Sequence, residues 1–291
     1  MGSFAPQYLH FLIMVTFLQI LPLFLVTSFF LILPIITILV VSFWEYTEYS
    51  LVPDFVLINY LDVFNSVVTY KTYLNTLWYA LITWFLTLII GFTIALYLSF
   101  HVKKIKWQII LFLICTIPFW TSNIIRMISW IPFLGRNGII NKILLNIGII
   151  DKPLDFLLFS DFSIILAFTH LYSLFMIVPI FNSMNRIDRS LIEAAVDCGS
   201  NSFSVIRHII IPLCKPGIAI GSIFVITLVM GDYITVRLMG GGQRASVGVM
   251  MWNEISLLLY PPASAHAIVL LLIVLAIVSL ITRYIDIKKE L

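Results

Sequence analysis

Long apolar runs recur along the chain, and the polar residues are concentrated in the segments between them. A helix needs about 20 consecutive apolar residues to cross the hydrocarbon core of a bilayer. The runs do not alternate between apolar and polar positions, as transmembrane β-strands do. The pattern therefore predicts an all-α integral membrane protein with about six transmembrane helices. They are expected at residues 17–43, 73–100, 109–132, 162–181, 217–238 and 263–284.

The connection at residues 134–161 carries a helix signal of its own. Its apolar residues recur at helical spacing, and Gly148 follows at a position where helices commonly end. We expect a short surface helix at residues 139–147. No internal repeat or second domain is evident, so residues 1–291 are expected to form one transmembrane domain.

Composition agrees with this class. Hydrophobic residues make up 61% of the 291 residues and charged residues 11%. Soluble domains are nearer about 45–50% and about 25%. The net charge of +3 supplies no basic stripe for nucleic acid. The apolar run near the N-terminus exceeds a signal-peptide core of about 7–15 residues, so we expect an uncleaved anchor.

Motifs for catalysis or cofactor binding are absent from the sequence. It has no phosphate-binding loop, no dinucleotide fingerprint and no HExxH motif. The three cysteines form no CxxC pair, and the five histidines are isolated. We therefore expect no enzyme activity, no bound metal and no cofactor on this chain.

The distribution of lysine and arginine predicts orientation, because connections rich in these residues remain in the cytoplasm. One set of connections and the tail contain Lys103, Lys104, Lys106, Arg186, Arg189, Arg207, Lys215, Arg283, Lys288 and Lys289. The opposite set contains Lys71, Arg136, Lys142, Lys152 and Arg244, together with many acidic residues. The first set is expected in the cytoplasm, and six spans place both termini there.

Residues 185–216 lie between the fourth and fifth spans, and we call them the 185–216 hairpin. They are too long for a simple connector and too amphipathic to be disordered. Two short helices are expected, with a bend at Gly199, which suits a left-handed position. The first helix begins either with a capping box from Ser190 to Glu193 or with Asp188 as its cap.

The second helix of the hairpin is expected at residues 203–211. Residues 200–202 offer its cap, and Pro212 and Pro216 limit it. Local signals leave two interpretations open: a solvated hairpin resting on the membrane surface, or a docking surface for a partner. The small pair at residues 194–195 favours docking, because small side chains let a partner's backbone approach.

The hairpin also resembles a known family. The pattern E-A-A-x-x-x-G, then nine residues, then I-x-L-P, is similar to the cytoplasmic motif of permease subunits of ATP-driven (ABC) importers. The matching residues are Glu193, Ala194, Ala195, Gly199, Ile209 and Pro212, and Ile211 stands where the family usually has leucine. The resemblance implies a type I importer fold and a coupling helix that sits in a groove of an ATPase. It also implies that Glu193 makes the polar contact, that Ala194 and Ala195 allow close approach, and that Gly199 makes the bend.

The same resemblance implies the partners. This chain would be a non-catalytic half of a pore in a bacterial inner membrane, and a second permease subunit would supply the other half. An ABC ATPase dimer would bind ATP and Mg²⁺, and an extracytoplasmic binding protein would deliver the solute. The alternative class is a self-sufficient secondary transporter or channel, which would show inverted repeats. That alternative leaves the motif unexplained.

Most of the chain resembles the polyamine (spermidine/putrescine) branch of these importers. The similarity rests on residues 118–122 with Arg126 and Trp130, and on residues 231–233 followed by 238–241. Importers of iron, opines, phosphonates and thiamine share parts of these patterns. The resemblance implies a small solute, with a polyamine-like cation favoured.

Arg126, Asp232 and Arg237 lie within or near the ends of apolar runs. A charge at the bilayer centre costs about 2.5–3.5 kcal/mol, so such groups are expected to face protein or a wet pathway. Arg126 and Asp232 either form an ion pair or line the translocation pathway, where the carboxylate would attract a cation. Arg237 is expected to extend to the outer surface. Trp130 and Tyr233 belong either to that pathway or to the aromatic belt at the membrane surface.

Overall fold

The computed structural model describes residues 16, 19–46 and 51–284, which are mostly helical. The helices are α1 (Gln19–Val41), α2 (Ile58–Asn65), α3 (Val67–His101), α4 (Ile105–Trp120), α5 (Asn123–Leu134), α6 (Ile139–Asn146), α7 (Asp161–Asn185), α8 (Arg189–Asp197), α9 (Ser202–Leu213), α10 (Lys215–Gly231), α11 (Ile234–Met239), α12 (Val247–Ser256) and α13 (Tyr260–Tyr284). Strands β1 (Glu45–Tyr46) and β2 (Leu51–Val52) pair antiparallel, with Glu45 opposite Val52. The predicted all-α fold class is confirmed.

Four described helices are long and apolar enough to cross a membrane by themselves: α1, α3, α7 and α13. Two further pairs reach that length only together. Helix α4 and the segment Asn123–Asn146 meet at an angle of 91°, and α9 and α10 meet at 67°. The described part of the chain therefore has four candidate spans, or six when each bent pair is counted as one.

The third span is not the straight helix that residues 109–132 predicted. Helix α4 ends in a 3₁₀ turn, Ile117–Trp120, which contains Pro118. Thr121 and Ser122 then adopt extended conformations, with ψ of 151° and 139°. Proline and two extended residues end the helical hydrogen bonding, so α5 starts in a new direction.

The fifth span also differs from its prediction at residues 217–238. Helix α10 ends at Gly231, and Asp232 is extended with ψ of 112° before α11 begins. Asp232 therefore lies at a break between two helices, not in the middle of one. Apolar content could not show this break, because it reports compatibility with lipid and not continuity of the helix.

Residues 66–253 and 270–284 form the larger of two compact units, and its core consists of α3, α7 and α10. Small residues let these helices approach closely, as is common in membranes. A Cβ at Gly217 would lie 2.5 Å from the carbonyl oxygen of Pro179, and one at Gly221 would lie 2.6 Å from the sulfur of Met176. Trp84 Nε1 on α3 donates a hydrogen bond to the Ser222 hydroxyl on α10 at 2.7 Å.

The smaller unit contains α1, β1, β2, α2 and residues 254–269. The Asn59 side chain donates to the carbonyl oxygens of Ser42 and Trp44, both at 2.9 Å, and so joins α2 to the end of α1. His266 lies 3.3 Å from Glu254, and both side chains are largely buried.

The short helix expected at residues 139–147 is present as α6. Gly148 follows it with a φ of +75°, and the Gly148 N–H donates to the Leu145 carbonyl at 3.1 Å. The expected glycine-terminated helix is thus confirmed.

Candidate functional site

The first helix of the 185–216 hairpin is α8, and Asp188 is its cap. The Asp188 carboxylate accepts the Ser190 N–H at 3.0 Å. The proposed capping box from Ser190 to Glu193 is therefore wrong, and the alternative cap is correct. The Ser190 N–H stabilises the ionised carboxylate and holds the pKa of Asp188 below its usual range.

Gly199 forms the bend of the hairpin with a φ of +84°. The Gly199 N–H donates to Val196 at 2.8 Å and the Ser200 N–H donates to Ala195 at 3.0 Å, the pair of bonds of a Schellman ending. Asn201 then caps α9, because its side-chain oxygen accepts the Ser204 N–H at 2.8 Å. The predicted left-handed bend is present.

Helix α9 continues through Pro212 and ends at Leu213, so Pro212 does not end it as predicted. A π-helical turn, Ile206–Ile210, precedes this proline. Proline lacks an N–H and its ring crowds the preceding turn, and a wider turn just before it relieves both problems. The 67° bend follows after Leu213, where Lys215 and Pro216 open α10.

The motif residues of α8 face outward to different degrees. Glu193 and Ala194 are exposed and Ala195 is half-buried. The Glu193 carboxylate has no hydrogen bond or ion pair with any residue that the structure describes. Beside them, Leu191 is 49% exposed and Phe203 is 69% exposed. Exposed apolar side chains around a free carboxylate are typical of an interaction surface.

A groove of about 300 Å³ separates the hairpin from the end of α3. Its walls include Phe100 and His101 from α3, Glu193 from α8, and Val205 and Ile210 from α9. The hairpin is therefore not packed tightly against α3 along its length.

Asp232 is held by three neutral donors at the break between α10 and α11. Its carboxylate accepts the Tyr172 hydroxyl at 2.7 Å, the Thr235 hydroxyl at 2.6 Å and the Thr235 N–H at 2.9 Å. Sequence reasoning missed Tyr172 and Thr235. The available signal was a tyrosine inside an apolar span, because polar groups at that depth usually have a partner.

Arg126 does not pair with Asp232 in the described part of the chain, so the ion pair, one of the two interpretations left open by the sequence, is absent. The Arg126 side chain donates to Asn123, one turn before it on α5, and Arg126 is only 7% exposed. Its Nε has no partner among the described residues. Three hydrogen bonds already stabilise the Asp232 carboxylate, so it is satisfied without the Arg126 guanidinium.

The two aromatic candidates pack on different helices. Trp130 Nε1 donates to His170 on α7 at 3.2 Å, a contact that the sequence did not suggest. Tyr233 stacks on Trp252 at 4.7 Å between ring centroids. Arg237 lies 5.7 Å from the same Trp252 ring, a cation–π contact as well as an exposed position. Among the described residues, no group of three or more metal-binding side chains comes together.

Comparison with known proteins decides the family. The family model described as "Binding-protein-dependent transport system inner membrane component" matches residues 108–289. The chain belongs to this family. It is thus a multi-pass permease subunit of an ABC importer, and the alternative of a self-sufficient transporter or channel is not favoured.

Individual relatives agree with the family. The chain is 30% identical over 267 residues to the spermidine/putrescine transport system permease protein PotB of Escherichia coli, covering 90% of this chain and 96% of that protein. It is 31% identical to PotB of Haemophilus influenzae over 234 residues, 78% of each chain.

Solved structures share the fold. A bacterial alginate ABC transporter, crystallised with an alginate pentasaccharide-bound periplasmic protein, gives a TM-score of 0.71 at 16% identity. The match covers 92% of this chain and 93% of that chain. A second alginate transporter structure gives a TM-score of 0.69 at 17% identity, over 93% and 94% of the two chains. The predicted type I importer fold fits these neighbours.

Proposed function

We propose that this permease imports a polyamine-like cation. The observation that carries the proposal is the 30% identity to the spermidine/putrescine permease PotB over 90% of the chain. Polyamines carry several ammonium groups, which are recognised by carboxylates and by the faces of aromatic rings. A permease for such a solute needs both kinds of group along its pathway.

The proposed pathway includes Arg126, Trp130, Asp232 and Tyr233. Helices α5 and α7 both pack against α11, which follows Asp232. Asp232 supplies a carboxylate at a helix break, and Tyr233 supplies an aromatic face beside it. A cation passing this point would exchange water for the carboxylate while Tyr172 and Thr235 hold that group in place.

The coupling function falls to the 185–216 hairpin, which we place in the cytoplasm. Glu193 would contact the ABC ATPase, Ala194 and Ala195 would allow close approach, and Gly199 would make the bend. Exposure of Glu193 and the neighbouring apolar side chains supports this role.

The motif residues of the second helix complete this surface. Ile209 is half-buried, whereas Ile211 and Pro212 are exposed towards the bend that leads into α10. A partner that pushes on these exposed residues would therefore act at the entrance to the fifth span.

The complete importer would need three kinds of partner. A second permease subunit would form the other half of the pore, and an extracytoplasmic binding protein would deliver the solute. The ATPase dimer, not this chain, would bind ATP and Mg²⁺. Closure of that dimer would push the two hairpins together, and rocking of the two halves would alternate access to the pathway.

The test is uptake in proteoliposomes that contain this chain with its ATPase and second permease. With the binding protein outside and ATP inside, labelled spermidine or putrescine should accumulate, and unlabelled polyamine should compete. Thiamine and ferric ion serve as competitors that should have no effect. Uptake of a different solute, without uptake of labelled polyamine, would refute the proposed substrate class. The assignment to the family would not be affected.

A further inference from the structure

The end of α3 leaves backbone carbonyl groups without helical partners. The helix closes in a π-helical turn, Tyr97–His101, and the Val102 N–H donates to Tyr97 at 3.3 Å. The last carbonyls of a helix have no following N–H within it, and buried ones need another donor. Leu98 and Ser99 are 2% and 4% exposed, so their carbonyls lie in a region that water reaches poorly.

Side chains from two other elements supply the missing donors. Gln108 on α4 donates to the Leu98 carbonyl at 3.1 Å, and Arg189 on α8 donates to the Ser99 carbonyl at 3.3 Å. The Gln108 amide also lies 3.4 Å from the Asn185 side chain at the end of α7. We call Leu98, Ser99, Gln108, Asn185 and Arg189 the α3-end cluster. It joins four elements at one end of the larger unit.

Among the described residues, Arg189 makes the one side-chain hydrogen bond between α8 and a membrane helix. The backbone of α8 packs mainly against the start of α9, and the groove described above separates α8 from α3. The Arg189 bond bridges α8 and α3, which both line this groove. If α8 moved without α3, the Ser99 carbonyl would lose its donor.

Arg189 also stands at an unfavourable position for helix stability. It is the first residue of α8, and a cation near a helix N-terminus opposes the helix dipole. Arg189 therefore does not stabilise α8 itself, and its favourable interaction must be with another element. The guanidinium offers several donors in a fixed plane, which suits a carbonyl across a groove better than a single ammonium does.

We propose that Arg189 and Gln108 are positioning residues that transmit movement of the hairpin to α3, α4 and α7. The proposal rests on the proposed coupling function of the hairpin. When the ATPase displaces α8, the Arg189 bond pulls the end of α3, and Gln108 carries the displacement to α4 and α7. The membrane helices then move with the hairpin as one body.

The test uses the transporter assembled from this chain, its ATPase and its second permease. The variants are Arg189→Ala, Arg189→Lys, Gln108→Ala and the Arg189→Ala/Gln108→Ala double variant. Lys106→Ala is the control, because Lys106 is an exposed cation near Gln108 outside the cluster. Two quantities are measured: co-purification of the ATPase, and labelled spermidine transported per ATP hydrolysed.

We expect Arg189→Ala to lower the transport per ATP by about three- to ten-fold, the effect of losing one partly exposed hydrogen bond of ordinary strength. The ATPase should still co-purify and hydrolyse ATP. Arg189→Lys should recover part of the loss, Gln108→Ala should show a smaller loss, and the double variant should be the most uncoupled. Lys106→Ala should match the wild type.

The outcomes separate this proposal from the proposed function. Failure of the wild-type chain to co-purify with an ABC ATPase would refute the coupling function itself. Wild-type transport per ATP in the double variant would refute only the transmission role. Loss of the ATPase from Arg189→Ala would also refute it, because Arg189 would then be a docking contact. If Arg189→Ala does not fold, the transport per ATP of Gln108→Ala and Arg189→Lys tests the transmission role instead. Wild-type values in both would refute it.

Discussion

Gly199 offers the most direct test of the coupling hairpin, through the substitution Gly199→Val. The φ of +84° lies in the left-handed region, where an L-residue costs about 1–2 kcal/mol relative to glycine. Apart from the two chain neighbours of Gly199, no heavy atom of the described residues lies within 4 Å of the position that a Cβ would occupy. The cost is therefore backbone strain and not a clash, and a β-branched side chain stands at the upper end of it.

A strain of about 2 kcal/mol lowers the ratio of bent to unbent hairpin roughly 30-fold. The hairpin depends on this bend to set α8 against α9, so the shift should reduce ATP-driven transport strongly. Gly199→Asn is the matched control, because asparagine tolerates the left-handed region. We expect transport to fall in the order glycine, asparagine, alanine, valine.

The assay compares uptake with ATP hydrolysis in the assembled transporter, together with the yield of inserted chain. Uptake should drop in Gly199→Val while insertion remains normal. Equal uptake by the valine variant and the wild type would refute the reasoning. So would an asparagine variant as impaired as the valine one, because strain could not then be the cause.

Five other variants address the remaining assignments. Glu193→Ala should weaken co-purification of the ATPase without changing membrane insertion, and unchanged binding would remove Glu193 from the docking surface. Asp232→Asn should lower uptake while the transporter still assembles. Tyr172→Phe should lower the free energy of unfolding by about 1–3 kcal/mol, because the Asp232 carboxylate loses one hydrogen bond. Because no ion pair joins them, Arg126→Gln should not rescue Asp232→Asn, and rescue would contradict the structure. In a chain whose own cysteines, including the exposed Cys198, are replaced, Asn201→Cys should react with an impermeant maleimide only from the cytoplasmic side; reaction in intact cells would reverse the proposed orientation.

Local signals in the sequence predicted the hairpin and the α6 helix well. A glycine after an amphipathic stretch indicates a left-handed helix ending, and both Gly148 and Gly199 have positive φ. The cap of α8 was less certain, because Asp188 and Ser190 are both good capping residues. The structure starts the helix at Arg189, which leaves Asp188 at the cap position.

Contacts between distant residues were not predictable in the same way. Tyr172 and Asp232 are 60 positions apart, and hydropathy places both in apolar runs without indicating which side chains face each other. The 91° bend after Trp120 was also missed. Its proline was visible, but a proline in a membrane helix is compatible with both a mild kink and a full break.

The π-helical turn at Ile206–Ile210 gives a physical meaning to the length of the motif that contains it. A π turn holds one more residue than an α turn in the same rise, so the count from Gly199 to Ile209 includes an additional position. Deleting one residue from this turn would restore a regular α-helix with about the same rise, so the later side chains would keep nearly the same directions. A homologous sequence one residue shorter here would therefore present nearly the same face of α9, although its spacing from Gly199 to Pro212 would differ by one. A deletion in the regular α-helical part of α9 would instead rotate every later side chain by about 100° and alter the helical phase at the entrance to α10.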